Sequence, residues 1–249
     1  MADKVEGIVI RATDYGESNK VVILYTREFG KVGVMARGAK KPRNPLASCT
    51  QPLTYGNYLF SKGRGLGTLY QGDSINPFRY IKADLRKMAY ASYIVDLIDK
   101  LADADARNPF LYELVLQLLM YMDEDVNPQV LSFIFEVKLM PVLGIEPVLD
   151  HCTHCGRRER LSDFSVSNGG LLCVYCRNKD SRSFPISAAT IKLLRLFKVI
   201  DMRRLGEIRL KPETIKELKT VLSAYYDAYS GLRLKTKQFI DQLETIDPS

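Results

Sequence analysis

Cys152-Thr153-His154-Cys155 and Cys173-Val174-Tyr175-Cys176 form two CxxC knuckles with seventeen residues between Cys155 and Cys173. Paired knuckles at this spacing bring four thiolates to the corners of a tetrahedron, the arrangement a structural zinc ion prefers. Gly156 follows the first knuckle, where a tight turn suits a residue that tolerates positive φ. Asn168-Gly169-Gly170 between the knuckles reads as a hairpin turn. The stretch 150–180 is therefore expected to be a zinc ribbon holding one structural ion through Cys152, Cys155, Cys173 and Cys176.

Other uses of cysteine fit less well. Five cysteines in 249 residues are too few for a disulfide scaffold, and the charged opening Met1–Glu6 is not the pattern of a secretory signal. A redox CxxC would not need a second copy. Four cysteines close the metal shell, whereas a catalytic zinc keeps an open position. The H-E-x-x-H and H-x-E…P-C-x-x-C signatures are absent. The two histidines, His151 and His154, both lie at the first knuckle, so a histidine-based triad elsewhere is excluded. Cys49 stands alone and reads as a small buried or loop residue.

Outward from the ribbon, charge is unevenly spread. The formal net charge is +7. Residues 1–80 carry twelve Lys/Arg and six Asp/Glu, and residues 81–150 reverse that ratio. Between Glu28 and Asp73 there is no acid at all, while Lys31, Arg37, Lys40, Lys41, Arg43, Lys62 and Arg64 fall inside the stretch. Its densest part is Ala36-Arg37-Gly38-Ala39-Lys40-Lys41-Pro42-Arg43-Asn44. Such a segment is either a solvated basic loop or a hold for a nucleic-acid backbone, gripped by charge and released by salt, and the long absence of acids favours the second. No apolar run approaches the ~18 residues of a membrane span.

Residues 1–80 read as short strands: Val5–Thr13, Lys20–Thr26, Lys31–Arg37, Tyr55–Ser61 and Leu66–Asp73, separated by Gly-containing turns. Five strands in about 75 residues suit a closed barrel of the OB type, a common single-strand binder. Tyr15, Tyr25, Tyr55, Tyr58, Phe60 and Tyr70 supply rings, of which roughly one in three is expected at solvent.

From about Lys82 the apolar period becomes helical. Asn108-Pro109 and Asn127-Pro128 each offer an N-cap followed by proline, Val130–Leu143 is apolar nearly all round, and Gly144 can end that helix. Leu114, Leu118, Phe133 and Phe135 read as core, with a partner groove as the minor alternative. After the ribbon, Ser187 and Pro212 open two more helices. The expected fold class is multidomain α+β. An N-terminal OB-type barrel (1–80) precedes an all-α helical domain (81–249), with the zinc ribbon inserted at 150–180. Lys192, Arg195, Lys198, Arg203 and Arg204 form either an anion-binding extension or a solvated face.

The whole arrangement resembles the RecO family of DNA repair proteins. The resemblance rests on Gly7-Ile8-Val9-Ile10, Gly30-Lys31, Ala36–Lys41, Leu139–Pro147, both knuckles and the closing Gly231-Leu232-Arg233-Leu234-Lys235-Thr236. Thr236 stands where serine is more usual in the family, keeping the hydroxyl. The resemblance implies a non-catalytic recombination mediator that binds single- and double-stranded DNA and anneals complementary strands. It also implies the partner RecR, the C-terminal tail of single-stranded DNA-binding protein, indirect help to the recombinase RecA, and a place in the bacterial cytoplasm at the nucleoid. Lys31, Arg37, Lys40, Lys41, Arg43 and Arg64 are the expected nucleic-acid-binding residues, and no catalytic residue is expected. Two alternatives stay open on the residues alone. One is an RNA-binding zinc-ribbon protein; the other is a metal-dependent nucleic-acid enzyme using Asp96, Asp99, Asp103 or Asp105.

Overall fold

The computed structural model describes residues 2–63, 65–101 and 107–246. The chain forms two compact units, one of residues 1–128 with 234–249, the other of residues 129–233.

In the first unit five strands close a barrel in the order β1-β2-β3-β5-β4. They are β1 (Asp3–Tyr15), β2 (Asn19–Thr26), β3 (Gly30–Ala36), β4 (Tyr55–Ser61) and β5 (Gly67–Asn76). All five expected strands are present: β4 has the expected bounds, β2 starts one residue earlier, β3 is shifted one residue earlier, β1 is two residues longer at each end, and β5 starts one residue later and runs three residues further. Strand β1 is long because it serves two neighbours. Its first half pairs with β4 and its second with β2, and the register shifts between Val9 and Arg11 where the strand bends. The short parallel pairing of Val34–Ala36 with Gly67–Leu69 completes the closure and removes open edges. Alternation sends Val22, Leu24, Val34, Tyr58, Phe60 and Leu69 inward. The small helix α1 (Leu46–Cys49) plugs this core: Leu46 and Cys49 are buried, and the Tyr58 hydroxyl donates to the Cys49 carbonyl at 2.9 Å. Gly72 gives α1 room, since a Cβ there would stand 2.6 Å from the Cys49 Sγ.

Four helices accompany the barrel in this unit: α2 (Arg79–Ala83), α3 (Leu85–Leu101), α4 (Pro109–Asp123) and α8 (Lys235–Ile246). Asn108 caps α4 by accepting from Leu111 N–H, with Pro109 at the first helical position. On α3, Asp99 meets two barrel cations, Arg11 at 3.1 Å and Lys31 at 3.6 Å. The rings of Tyr25 and Tyr112 lie 5.8 Å apart between barrel and α4. Helix α8 runs along α3 with Ile240 buried, and Leu234 just before the helix is buried as well.

The second unit contains α5 (Pro128–Leu139), whose residues from Gln129 to Val137 are all buried. It also holds α6 (Ala188–Val199), α7 (Pro212–Tyr229) and a three-stranded sheet of order β7-β6-β8. The sheet strands are β6 (Leu161–Ser165), β7 (Gly170–Cys173) and β8 (Phe184–Pro185). Ser187 caps α6 as expected, accepting from Thr190 N–H. The helix expected to run to Leu143 ends at Leu139 instead. Pro141 has no N–H for the next helical bond and disfavours helical geometry at Met140. Gly144 turns the chain afterwards, at φ +68°. Leu114, Leu118, Phe133 and Phe135 are all buried, so they line no groove at the surface.

Candidate nucleic-acid interface and metal centre

The four cysteines converge. Their sulfurs all lie within 4.8 Å of one another, and Cys155 and Cys173 are 3.7 Å apart. A tetrahedron with zinc–sulfur bonds of ~2.3 Å has edges of about 3.8 Å. The convergence follows from local turns. Cys152 carbonyl accepts from Gly156 N–H, with Gly156 at φ +75°, and Cys173 carbonyl accepts from Cys176 N–H. The hairpin between the knuckles turns at Gly169 (φ +65°), and Gly170 lies so close to Val148 that a Cβ would stand 2.3 Å from its carbonyl oxygen.

The thiols also conflict electrostatically. Burial works to raise Cys152, but backbone N–H groups of Cys155, Cys173 and His154 prevail and bring it down to about 6. Cys176 is pushed up to about 12 by burial and by the neighbouring sulfurs. One site is prepared for a thiolate while its neighbour resists ionising beside it. A divalent cation removes that conflict by letting all four deprotonate. These residues fit a tetrathiolate metal ion, and the soft sulfur set suits zinc. His154 is exposed and stands outside the set of four.

The basic loop after β3 is fixed on the barrel. Gly38 N–H donates to the Asn19 side chain at 2.9 Å, and Lys40 N–H donates to Ser18 carbonyl at 3.0 Å. Asn44 closes the loop from the other side, donating to Arg37 carbonyl and accepting from Leu46 N–H at 2.8 Å. Ala39 is buried as an anchor. Gly38 takes φ +69°, and a Cβ would stand 2.6 Å from the Asn44 side chain. A rigid frame thus holds Arg37, Lys41 and Arg43 exposed to solvent.

The other expected cations differ. Lys40 reaches back to Asp14 at 3.1 Å. Lys31 is drawn to α3, donating to Asp99 carbonyl at 2.6 Å as well as facing its carboxylate. Arg64 lies outside the described residues. Of the six rings, Tyr15 (58% exposed) and Tyr70 (56%) reach solvent and the others are buried. Tyr70 follows Leu69, whose strand partner Ala36 precedes Arg37, so this ring and the guanidinium leave the barrel wall at neighbouring backbone positions. Sequence reading missed Asn19, Asn44, Asp14 and Asp99 as the groups that fix or neutralise this surface.

Comparison with known proteins agrees with this geometry. The pattern described as recombination protein O N terminal matches residues 1–78, and recombination protein O C terminal matches residues 82–238. "DNA repair protein RecO" of Halalkalibacterium halodurans is 50% identical over 246 residues, covering 99% of this chain and 97% of that protein. The proteins of the same name from Bacillus pumilus (48%) and Bacillus subtilis (47%) each align over 99% of this chain and 96% of their own length.

The chain belongs to the RecO family of DNA repair proteins.

Two of the four acids considered for catalysis, Asp96 and Asp99, hold structural positions here. Asp96 accepts from the Thr236 hydroxyl at 2.9 Å, and Asp99 pairs with Arg11 and Lys31. Asp103 and Asp105 lie outside the described residues. Among the described residues the four cysteines are the one set of three or more His, Cys, Asp or Glu whose ligand atoms converge. Of the C-terminal cations, Lys198 pairs with Glu146, Arg203 pairs with Asp201 at 2.9 Å, and Arg195 donates to Leu149 carbonyl at 2.8 Å. They serve their own unit. Among the described residues no helix is long and apolar enough to cross a membrane.

Proposed function

We propose that this RecO-family chain is a non-catalytic DNA-binding recombination mediator. It holds single- and double-stranded DNA on the loop after β3 and brings complementary strands together. One observation carries the reading: Arg37, Lys41 and Arg43 project from a backbone fixed by Asn19, Ser18 and Asn44. A rigid row of cations meets phosphates without paying to order itself, and it reads no sequence because phosphates carry none. Screening two backbones at once lowers their repulsion, which lets bases pair. Lys40 and Lys31 contribute less, because Asp14 and Asp99 already occupy them. Arg64 is a further contact.

The residue 1–80 barrel is the binding module, and residues 81–249 carry the partner surfaces. One zinc ion bound by Cys152, Cys155, Cys173 and Cys176 supports the fold at 150–180. Family membership supports RecR and the C-terminal tail of single-stranded DNA-binding protein as partners, with RecA loading as the outcome. It also supports a cytoplasmic, nucleoid-associated location.

The test is Lys41→Glu with Arg43→Glu in the full chain, followed by fluorescence anisotropy with oligo-dT across a salt series. Removing two phosphate contacts is expected to make the slope of log K against log salt shallower by about 1.4 and to slow strand annealing. An unchanged slope and an unchanged annealing rate would exclude this loop as the DNA surface.

A further inference from the structure

The ribbon bears a surface that its metal does not require. Tyr175, inside the second knuckle, is 59% exposed although its neighbours Cys173 and Cys176 are buried. Arg157 sets its guanidinium over the ring, 4.8 Å from the centroid. Arg160 approaches the hydroxyl edge, donating to the Tyr175 oxygen at 2.7 Å. Both arginines are held by the knuckles' own backbone. Arg157 carbonyl accepts from Cys152 N–H at 2.7 Å, and Arg160 carbonyl accepts from Val174 N–H at 3.0 Å. Arg160 adopts φ 53°, a left-handed conformation that costs a non-glycine residue energy and persists only where surroundings enforce it.

Arg158, Arg177 and Lys179 are exposed on the same small element, where Glu159 is the one exposed acid among residues 151–179. Among the described residues, none of Arg157, Arg158, Arg160, Arg177 and Lys179 forms an ion pair with a carboxylate. A zinc tetrathiolate carries a formal charge of −2, which these five cations exceed.

We propose that the zinc ribbon is a second, separate contact for single-stranded nucleic acid. Tyr175 is the platform on which an unstacked base lies, Arg157 and Arg160 hold its ring, and Arg158, Arg177 and Lys179 meet the flanking phosphates. An exposed ring fixed among guanidinium groups is the pattern of sequence-tolerant single-strand recognition, in which every base offers a π-face. An acidic peptide would use the cations but has no need of the ring. The inference stands apart from the barrel reading and is tested by different residues.

The experiment measures oligo-dT anisotropy with the full-length, zinc-loaded chain, with zinc content determined for every variant. Tyr175→Ala is expected to weaken binding about tenfold, while Tyr175→Phe keeps most of the affinity. Arg177→Gln with Lys179→Gln is expected to make the salt slope shallower by about 1.4. Those two side chains take no part in framing the knuckles, so this pair decides the matter even if Tyr175→Ala loses zinc. Normal affinity and slope in the zinc-replete variants overturn the proposal, whatever the barrel pair Lys41→Glu and Arg43→Glu does. Unchanged oligo-dT binding with lost binding of a polyglutamate peptide would assign the face to an acidic protein and equally overturn it. Loss in the ribbon variants but not in the barrel pair would sink the barrel reading and leave this one standing.

Discussion

The hydroxyl of Thr236 donates to the carboxylate of Asp96 at 2.9 Å, joining residues 140 positions apart. Asp96 lies on α3, and Thr236 opens α8, the segment that returns to the barrel-bearing unit. A serine would keep this donor. Thr236→Val preserves shape and removes the donor. We expect a loss of about 1 kcal/mol in urea unfolding, with Thr236→Ser close to the parent. A Thr236→Val midpoint equal to the parent's would show that the bond contributes nothing.

Much of this architecture was legible from local chemistry. Five strand segments, the caps at Asn108 and Ser187 and the convergence of the two cysteine knuckles all depend on neighbouring residues, and all appear in place. What escaped depends on distant ones. Lys31 and Lys40 look identical to Lys41 in the sequence, but Asp99 and Asp14 reach the first two through the tertiary fold. The end of α5 escaped for another reason: the apolar run continues past Leu139, yet backbone chemistry at Pro141 overrides the pattern. Tyr175 gave no signal at all, since an aromatic inside a knuckle reads as ordinary until its exposure is known.

Asp14 restrains the proposed DNA surface. Its carboxylate stands 3.1 Å from the Lys40 ammonium, which cancels one cation of the loop. Asp14→Asn frees Lys40 while leaving the loop's backbone bonds to Ser18 and Asn19 intact. The variant is expected to bind oligo-dT more tightly at low salt, with a slope steeper by about 0.7. An unchanged slope would mean that Lys40 does not face the strand.

Glu217 gives the second unit an acid-sensitive joint. Burial favours its neutral form, but the Thr190 hydroxyl and the Ser187 N–H and hydroxyl together hold the carboxyl below its ordinary range. Since the folded-state value is the lower one, the stabilisation is fully present above the ordinary glutamate range. It is lost as pH falls through the depressed folded value. Glu217→Gln should therefore lower the urea midpoint at pH 7 and reduce the further drop between neutral and acid pH. Parallel pH profiles for parent and variant would contradict this.

Metal removal should act on one unit and spare the other. In the ribbon, Cys152, Leu172, Cys173 and Cys176 form a core of their own, with Leu161 packed against it. So small a cluster cannot hold four converging sulfurs together without a cation. The barrel instead closes on itself and has a separate apolar core around Val22, Leu24, Tyr58 and Phe60. Purified protein is expected to contain one zinc per chain. After chelation, amide hydrogen exchange should accelerate across β6 and β7, while β1 to β5 keep their protection. The ribbon is also held to α7 by Phe164 against Tyr225, ring centroids 5.6 Å apart, and by the Tyr229 hydroxyl on Val166 carbonyl at 2.6 Å. Loosening should therefore spread into the C-terminal half of α7 before it reaches α5. Exchange that rises equally in barrel and ribbon would show that the ion stabilises the whole chain and not the ribbon's unit alone.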